Sequence, residues 1–313
     1  MDKKFLLLTF VIAVILLFIG LNKSNPTEIQ EVNVISSEQN DKLVALSTFT
    51  ILADMVGEVG GDKVESISVV EPGMNIHSYE PTPSDLVRAS RADILFENGM
   101  NLELWTDKLK SNLPDVPTVI VSEGVEPLSI SEGAYEGKPN PHAWMSPKQG
   151  LKYIENIRKA LVEFSPENET YFNANAEAYT LKLKALDKTL SDSLSVLPEN
   201  NRYLVTCEGA FTYLTNDYNL HEMYIWPINS DTAGSPQQVA TIIDKVKTNN
   251  VPAVFCESTV EPKIQEEVVA ATGARMGGVL YVDSLSTVYG PAPTYLTLLE
   301  KTADTIVSGL TNE

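Results

Sequence analysis

Two of the three histidines in the chain stand in loops where a ligand site is expected. His77 lies in the segment EPGMNIHSYEPTPSDL, after the second predicted strand, and His142 lies in GKPNPHAWMSP, after the fourth. Loops that leave the carboxyl ends of parallel strands are the usual place for ligand sites in such sheets. An imidazole can bind a metal ion or exchange a proton near neutral pH. Either histidine alone is compatible with a structural role, but the pair favours a ligand site in the first lobe.

Two carboxylates in the second half of the chain match these histidines. Glu208 ends the predicted strand RYLVTC and Asp283 ends the predicted strand GGVLYV, so each is expected to project from the carboxyl edge of its sheet toward a cleft. Either acid could instead cap a helix N-terminus. Glu257 is a rival carboxylate. We interpret it as a group that supports a ligand or caps a helix, because its strand lies beside the site.

The only two cysteines occupy equivalent positions. Cys207 directly precedes Glu208 and Cys256 directly precedes Glu257, each at the end of a predicted strand. Neighbouring strands lie about 4.8 Å apart, and Cα atoms of disulfide-bonded cysteines are usually about 4.4–6.8 Å apart, so adjacent strands bring the pair within bridging range. Export favours a disulfide, which would hold the backbone that carries Glu208. The alternative is a pair of buried thiols.

These residues are distributed over two series of alternating strand and helix patterns. One series begins at Leu43 and the other at Arg202. Such alternation is typical of βαβ units, so we predict an α/β fold of two lobes, each with a parallel β-sheet flanked by helices. Between the two series, one amphipathic pattern predicts a long, rigid backbone helix from Pro166 to Leu197, which Pro198 ends.

Composition and charge narrow the class of partner. The chain has 313 residues, 43% of them hydrophobic and 21% charged, which is ordinary for a globular protein. Its 23 Lys and Arg residues against 42 Asp and Glu residues give a net charge of −19. Such a surface repels phosphate backbones and anionic lipids, so nucleic-acid binding is excluded and cationic ligands are favoured.

The N-terminus has the pattern of a targeting segment. Lys3 and Lys4 precede an apolar run from Phe5 to Leu21, which indicates a secretory signal or a short membrane anchor. No clear small-residue cleavage site follows, and no cysteine is present there for lipid attachment. We therefore predict an uncleaved anchor over residues 1–25 and a flexible tether over 26–42, with the rest outside the cytoplasm. A cleaved signal, which would give a periplasmic protein, is the alternative.

Five segments resemble, in the same order, the motifs of the zinc, manganese and iron solute-binding proteins of bacterial ABC transporters. They are NIHSYEPTPSDLVRASRADILFENGMNLELW, GKPNPHAWMSP, LVTCEGAFTYL, IWPINSDTAGSPQQV and GGVLYVDSLS. The resemblance runs from about residue 43 to the C-terminus. It implies two parallel-sheet lobes joined by a rigid helix, with one divalent metal bound between them by His77, His142, Glu208 and Asp283. Many members of this family carry a lipid-attachment cysteine, which this chain lacks.

The resemblance and the patterns together predict the domain boundaries. We expect an N-terminal metal-binding lobe over residues 43–164, the linking helix over 165–198 and a C-terminal metal-binding lobe over 199–313. Outside the predicted site, His221 is interpreted as a surface residue. The tryptophans are interpreted as residues that fill lobe cores or line the seam between lobes: Trp105, Trp144 and Trp226.

The donor types favour some metals over others. Two imidazoles and two carboxylates suit Mn²⁺ or Fe²⁺, particularly when carboxylates bind through both oxygens, without excluding Zn²⁺. Zinc-type relatives tend to have a histidine at the position of Glu208 and a histidine-rich loop near the site, and this chain has neither. We therefore expect manganese first, iron second and zinc third.

The expected function is the extracytoplasmic solute-binding component of an ABC transporter. It would capture a divalent metal as a monomer and deliver it to a membrane permease, with no catalytic activity. A metal-dependent hydrolase is the alternative from another class, since imidazole–carboxylate sites also activate water. The HExxH, GxSxG and P-loop patterns are absent from the sequence. A surface adhesin on the same scaffold is a further alternative.

Overall fold

The computed structural model of the chain describes residues 42–112, 115–133, 135–228 and 234–311. The predicted N-terminal anchor and all but the last residue of the predicted tether lie outside the described residues. No helix within the described ranges is both long and apolar enough to cross a membrane.

A parallel four-stranded sheet forms the first lobe. In spatial order its strands are β2 (Val64–Ser68), β1 (Leu43–Ser47), β3 (Ile94–Glu97) and β4 (Thr118–Ile120). The helices of this lobe are α1 (Thr50–Gly60), α2 (Pro83–Ala89) and α3 (Thr106–Lys110), with a 3₁₀ turn at Gly61–Lys63. The sequence sets these boundaries locally, because Thr82 and Asp85 form a capping box at the start of α2.

Two long helices follow this sheet. They are α4 (Pro147–Phe164) and α5 (Glu169–Ser195), with 3₁₀ turns before each at Ala143–Met145 and Pro166–Asn168. Helix α5 is the predicted backbone helix, and at about 1.5 Å per residue it is about 40 Å long. It packs against α1 and α4. Helix α4, which is absent from the sequence prediction, therefore forms a pair with the backbone helix.

Two parallel strand pairs form the second lobe. Their strands are β5 (Tyr203–Glu208), paired with β6 (His221–Trp226), and β7 (Ala253–Glu257), paired with β8 (Arg275–Leu280). Strand β5 lies beside β7. The helices are α6 (Thr212–Tyr218), α7 (Pro236–Thr248), α8 (Lys263–Thr272) and α9 (Tyr295–Thr311), with a 3₁₀ turn at Glu199–Asn201. The prediction of an α/β fold with two parallel-sheet lobes and a long helix is confirmed.

The last strand ends earlier than predicted, and this changes the setting of Asp283. Strand β8 stops at Leu280, which pairs with Glu257 in the last register position of β7. Strand β7 ends at Glu257, so the residues after Leu280 have no partner on β7 and leave the sheet. Asp283 is therefore a loop residue three positions after β8, whereas the sequence predicted it directly at the strand end.

One apolar core extends through both lobes and the backbone helix. It includes Phe96 of β3, Leu183 of α5 and Phe255 of β7. A second, smaller core fills the other face of the C-terminal sheet under α7 and α8, where Val205 and Val254 belong to it. Strand residues alternate between the two cores because successive side chains point to opposite faces. The shared core ties the lobes together through buried contacts.

Candidate metal centre

Each of the four predicted site residues lies at the end of a strand or in the loop after it. His77 lies in the loop between β2 and α2, His142 directly before the Ala143–Met145 turn, Glu208 at the last position of β5, and Asp283 after β8. All four positions are on the carboxyl side of parallel strands, where the strands of the two lobes face a common seam.

The structure brings these four side chains into one cluster. One ligand atom from each lies within 4.8 Å of those of the others. The Nε2 atoms of His77 and His142 are 3.3 Å apart. His77 Nε2 is 3.4 Å from Glu208 Oε1 and 3.5 Å from Asp283 Oδ2, and His142 Nε2 is 3.3 Å from Asp283 Oδ1. Each of these side chains is at most 5% exposed, so the donors converge away from bulk water.

Opposite charges shift the pKa values inside the cluster. Burial lowers the pKa of His77, but the carboxylates of Asp283 and Glu208 outweigh it and raise that pKa above its ordinary value. Burial raises the pKa of Asp283, but the two imidazoles outweigh it and hold that pKa well below its ordinary range. The cluster therefore keeps Asp283 ionised and has the charge to attract a cation.

The loops that contain His77 and His142 share a local hydrogen-bond arrangement. Asn75 and Asn140 each stand two residues before a histidine, and each side-chain oxygen accepts a hydrogen bond from that histidine's backbone N–H, at 2.8 Å for His77 and 3.1 Å for His142. An asparagine that bonds to the backbone two residues ahead forms a turn that mimics a backbone turn. The Asn-x-His pattern that the two loops share is visible in the sequence, but it was not used in the prediction of the site.

Asn140 also orients the imidazole of His142 and links the lobes. Its Oδ1 atom is 2.9 Å from Nδ1 of His142, which leaves Nε2 to face the cluster. Its Nδ2 atom donates to the carbonyl of Gly209 and to the hydroxyl of Thr212 in the second lobe. The link from Asn140 to the second lobe was not identified from the sequence, because Gly209 and Thr212 lie about 70 residues away along the chain.

Glu257 supports the strand end that carries Glu208. It is fully buried, and its carboxylate accepts hydrogen bonds from the backbone N–H of Cys207 at 3.3 Å and of Glu208 at 3.1 Å. Burial raises the pKa of Glu257 well above its ordinary value. The residue is not part of the four-residue cluster, which agrees with its interpretation as a supporting group.

A second buried carboxylate shapes the first lobe near His77. Glu103 accepts hydrogen bonds from the hydroxyl of Thr48 and from the backbone N–H groups of Asn98 and Gly99. Burial raises the pKa of Glu103 to about 7, although these hydrogen bonds oppose the shift. The turn that it holds has positive φ at Gly99 and at the next two residues, a conformation that non-glycine residues adopt only when their surroundings fix it.

Trp144 packs beside the cluster rather than in a remote core. Its ring lies 5.0 Å from that of His142, and its indole N–H donates to the carbonyl of Val282, next to Asp283. Trp105 and Trp226 are buried in the lobes as expected. His221 is exposed and 3.0 Å from Glu199, in agreement with its assignment to the surface.

A cavity of about 400 Å³ borders His77. Apolar side chains line most of it, including Leu102 and Ile130 from the first lobe and Ile228 from the second. Of the four clustered residues, His77 is the one that lines this cavity.

The two cysteines lie together, as their strand positions predicted. Their sulfur atoms are 3.2 Å apart, and both are buried. In this structure both are free thiols, since a disulfide bond requires about 2.05 Å between the sulfurs. The predicted adjacency is therefore present, and the predicted bond is not made in this structure.

Comparison with known proteins identifies the family. The family described as "Zinc-uptake complex component A periplasmic" (ZnuA) matches residues 46–309. The iron-binding protein YfeA of Yersinia pestis is 50% identical over 273 residues, which cover 87% of this chain and 88% of that protein. SsaB of Streptococcus sanguinis, a metal ABC transporter substrate-binding lipoprotein, is 33% identical over 317 residues and 99% of each chain.

A solved structure shares the same architecture. The Mn-bound periplasmic metal binding protein from Candidatus Liberibacter asiaticus aligns with a TM-score of 0.80 at 37% identity, and the alignment covers 86% of this chain and all of that chain. The chain therefore belongs to the ZnuA family and is the substrate-binding component of a metal ABC transporter rather than an enzyme.

Proposed function

We propose that the chain captures one divalent metal ion between its lobes and delivers it to a membrane permease. The ligands in this proposal are His77, His142, Glu208 and Asp283. The observation that carries the proposal is the convergence of two imidazoles and two carboxylates from four separate segments, with ligand atoms within 4.8 Å of one another. Two buried carboxylates beside two imidazoles form a site that a divalent cation would neutralise.

Manganese is the proposed cargo, with iron second and zinc third. Carboxylate oxygens are hard donors, and they can raise the coordination number above four by binding through both oxygens, which suits Mn²⁺ and Fe²⁺. The relatives bear names that refer to zinc, iron and manganese. Membership of the family therefore does not identify which of these metals the chain binds. The absence of a third histidine at position 208 supports the proposed order.

The proposed place of action is outside the cytoplasm, with the chain as a monomer. The relatives include a lipoprotein and a periplasmic protein. We propose that residues 1–25 tether the chain to the membrane, or that the chain is periplasmic where this segment is cleaved. The net charge of −19 raises the local concentration of cations near the surface, which favours capture.

Elemental analysis of the chain, purified without added metal, tests the identity of the cargo. We expect one equivalent of metal per chain, predominantly manganese. Competition between Mn²⁺, Fe²⁺ under anaerobic conditions and Zn²⁺ then gives the affinity order, in which zinc should bind at least as tightly as manganese to the same donors. A purified chain that neither contains nor binds any of the three metals would contradict the proposal.

Single alanine variants test the ligand set. Replacing any of the four residues should lower Mn²⁺ affinity by about 100-fold or more, because one donor is lost and, at Glu208 or Asp283, a negative charge is lost with it. Calorimetric titration measures the affinity, and circular dichroism shows whether the fold is retained. His221→Ala is the matched control, since it removes the only other histidine, which is exposed. A folded variant that binds Mn²⁺ like the parent removes its residue from the set.

A further inference from the structure

Glu222 is a carboxylate of the second lobe that does not belong to the four-residue cluster. It is the second residue of β6, and its carboxylate accepts two hydrogen bonds from the segment that follows Glu208. Oε1 accepts from the backbone N–H of Phe211 at 2.9 Å, and Oε2 accepts from the hydroxyl of Thr212 at 2.7 Å. The side chain of Glu222 therefore holds the start of α6, four residues after a proposed ligand.

The hydrogen bonds continue from Thr212 across the seam between the lobes. The Oγ1 atom of Thr212 accepts a hydrogen bond of 2.9 Å from Nδ2 of Asn140. On the other side of the same amide, Oδ1 of Asn140 is 2.9 Å from Nδ1 of His142. An amide oxygen can only accept, so Nδ1 of His142 is the donor and carries a proton.

Every donor in this series points toward Glu222. The hydroxyl of Thr212 has a single hydrogen, and because that hydrogen is donated to Glu222, the oxygen presents its lone pairs to Asn140. Without the carboxylate, the hydroxyl could rotate and would no longer be fixed as an acceptor for the amide. The series therefore ends on an acceptor that fixes its direction.

We propose that Glu222 is a positioning residue for the metal centre, which orients the imidazole of His142 from the opposite lobe through Thr212 and Asn140. These four residues are called the interlobe network below. The effect on metal binding rests on the proposed function, whereas the hydrogen bonds of the network do not. Because the network fixes the proton of His142 on Nδ1, it leaves the lone pair of Nε2 for a metal ion.

The charge of Glu222 strengthens the end of the network. Hydrogen bonds to an ionised carboxylate are about twice as strong as those between neutral groups. Burial raises the pKa of Glu222 to about 7, although the hydrogen bonds from Thr212 and Phe211 oppose the shift. Metal titrations that test the network are therefore carried out at pH 8, where the carboxylate is mostly ionised.

Replacement of Glu222 tests its role in the full chain. A group that supports a ligand directly typically contributes about 10–100-fold to metal affinity, and Glu222 acts through two further residues, so we expect Glu222→Ala to bind Mn²⁺ about three- to tenfold more weakly. Calorimetric titration measures the affinity, and circular dichroism checks the fold. If the alanine variant does not fold, Glu222→Gln takes its place, with an expected loss of about two- to fivefold because it keeps one acceptor oxygen without the charge. An affinity equal to that of the parent in the folded variant would overturn the proposal.

A pair of variants at Thr212 tests whether the hydroxyl transmits the effect. Thr212→Val has the same shape without the hydroxyl and should bind Mn²⁺ about three- to tenfold more weakly, whereas Thr212→Ser keeps the hydroxyl and should stay within about twofold of the parent. Thr215→Val is the matched control, since the hydroxyl of Thr215 lies on the same helix and donates to the carbonyls of Phe211 and Thr212. Equal losses in the valine and serine variants of Thr212, or an equal loss in the control, would overturn the proposal.

A double-mutant cycle separates the network from a general effect on the fold. In a chain that already carries Asn140→Ala, the network is broken, so Thr212→Val should change Mn²⁺ affinity by less than about twofold. Independent structural effects would instead give the same fold-change in both backgrounds, and that result would overturn the proposal. If the parent itself does not bind Mn²⁺, the proposal fails together with the proposed function. If the parent binds and the network variants bind equally well, the proposal fails alone.

Discussion

His142 and His77 are held differently at the ring nitrogen that faces away from the cluster. The Nδ1 atom of His142 meets the side chain of Asn140, whereas the buried Nδ1 atom of His77 has no hydrogen-bond partner among the described residues. His77 also borders the cavity of about 400 Å³. The imidazole of His142 is therefore the fixed part of the site, and that of His77 is the one with fewer restraints.

Replacement of Asn140 tests how much this orientation contributes. We expect Asn140→Ala to lower Mn²⁺ affinity by about 10–100-fold, because it frees the His142 ring and removes a link between the lobes. Calorimetric titration measures the change. Asn156→Ala is the matched control, since Asn156 also donates to backbone carbonyls but does so within the first lobe. Equal affinities in the two variants would show that Asn140 does not orient the ring.

Protonation of His77 should govern the pH dependence of metal binding. Its pKa lies above the ordinary value of 6.5, because the neighbouring carboxylates outweigh burial. A metal binds only the neutral imidazole, so protons begin to compete above pH 6.5, and affinity should fall by about tenfold per pH unit once His77 is protonated. Titrations with Mn²⁺ at intervals from pH 8 to pH 5.5 measure this fall. An affinity that stays constant over this range would contradict the prediction.

The same protonation stabilises the metal-free chain. A histidine with a raised pKa contributes stability that is fully present below its unfolded pKa and is lost as pH rises through the folded pKa. The stabilisation by added Mn²⁺ should therefore grow with pH. Thermal unfolding with and without metal follows this difference, and His221→Ala, which leaves the cluster intact, should retain it.

The sequence predicted which side chains form the cluster better than it predicted the groups that hold them. Histidines in loops and acids at strand ends carry a local signal, because residue type and position along a strand are both visible in the sequence. Glu103 carries no such signal, and Glu257 carries only part of it, because its place at a strand end is visible in the sequence whereas its backbone partners are not. For Glu257 those partners lie 49 and 50 residues earlier in the chain.

At the scale of helices and strands, local sequence patterns predicted the residues within an element. They did not predict an element end that depends on the length of a neighbouring element. The apolar runs predicted all eight strands that lie in the described part of the chain, since a parallel strand buried on both faces needs them. The end of β8 depends on the length of β7, which no local pattern in β8 contains. Helix α4 has its own amphipathic pattern, with Tyr153, Ile157 and Leu161 buried, and a fuller reading of that pattern would have found it.

Asp54 connects two helices that lie far apart in the sequence. It lies on α1, and its Oδ2 atom accepts a hydrogen bond of 2.8 Å from the backbone N–H of Tyr295, the first residue of α9. The first turn of a helix has backbone N–H groups without partners in the helix itself, and a carboxylate there is favourable. Burial raises the pKa of Asp54 from 3.8 to about 6, although this hydrogen bond opposes the shift.

The stability of the fold should therefore depend on the ionisation of Asp54. An acid with a raised pKa favours the folded state when protonated, so its contribution is largest at low pH and is lost as pH rises through about 6. The difference in free energy of unfolding between the parent and Asp54→Asn should change by an amount of the order of 2 kcal/mol between pH 4 and pH 7.

Denaturant titrations at several pH values measure this difference. Asp304→Asn is the control, because Asp304 is an exposed residue of α9. Parallel pH profiles for the parent and Asp54→Asn would mean that Asp54 has an ordinary pKa in the folded chain.

At the scale of the whole molecule, the lobes share both a core and direct hydrogen bonds. The side chain of Asn140 donates a hydrogen bond to the carbonyl of Gly209, and the indole of Trp144 donates one to the carbonyl of Val282. The backbone N–H of Leu285 also donates to the hydroxyl of Thr50, at 2.9 Å. These contacts surround the candidate site, so a wide separation of the lobes would break many of them together. We infer that metal release proceeds by a small lobe rotation or by movement of the Asp283 loop.

Solution scattering tests this inference. The metal-free and metal-bound forms should have radii of gyration that differ by less than about 3%, because small rotations of packed lobes change the overall dimensions little. Measurement of both forms at several protein concentrations separates a change of shape from association. A clear expansion of the metal-free form would indicate a hinge and contradict the inference.

The four clustered side chains are spread along the chain from position 77 to position 283, which has a consequence for when the site can exist. Synthesis proceeds from the N-terminus, so a growing chain contains both imidazoles long before it contains Asp283. Two imidazoles without the carboxylates provide half of the donors and none of the negative charge. An incomplete chain therefore lacks the full cluster, which can form only after the C-terminal lobe has been synthesised and has folded.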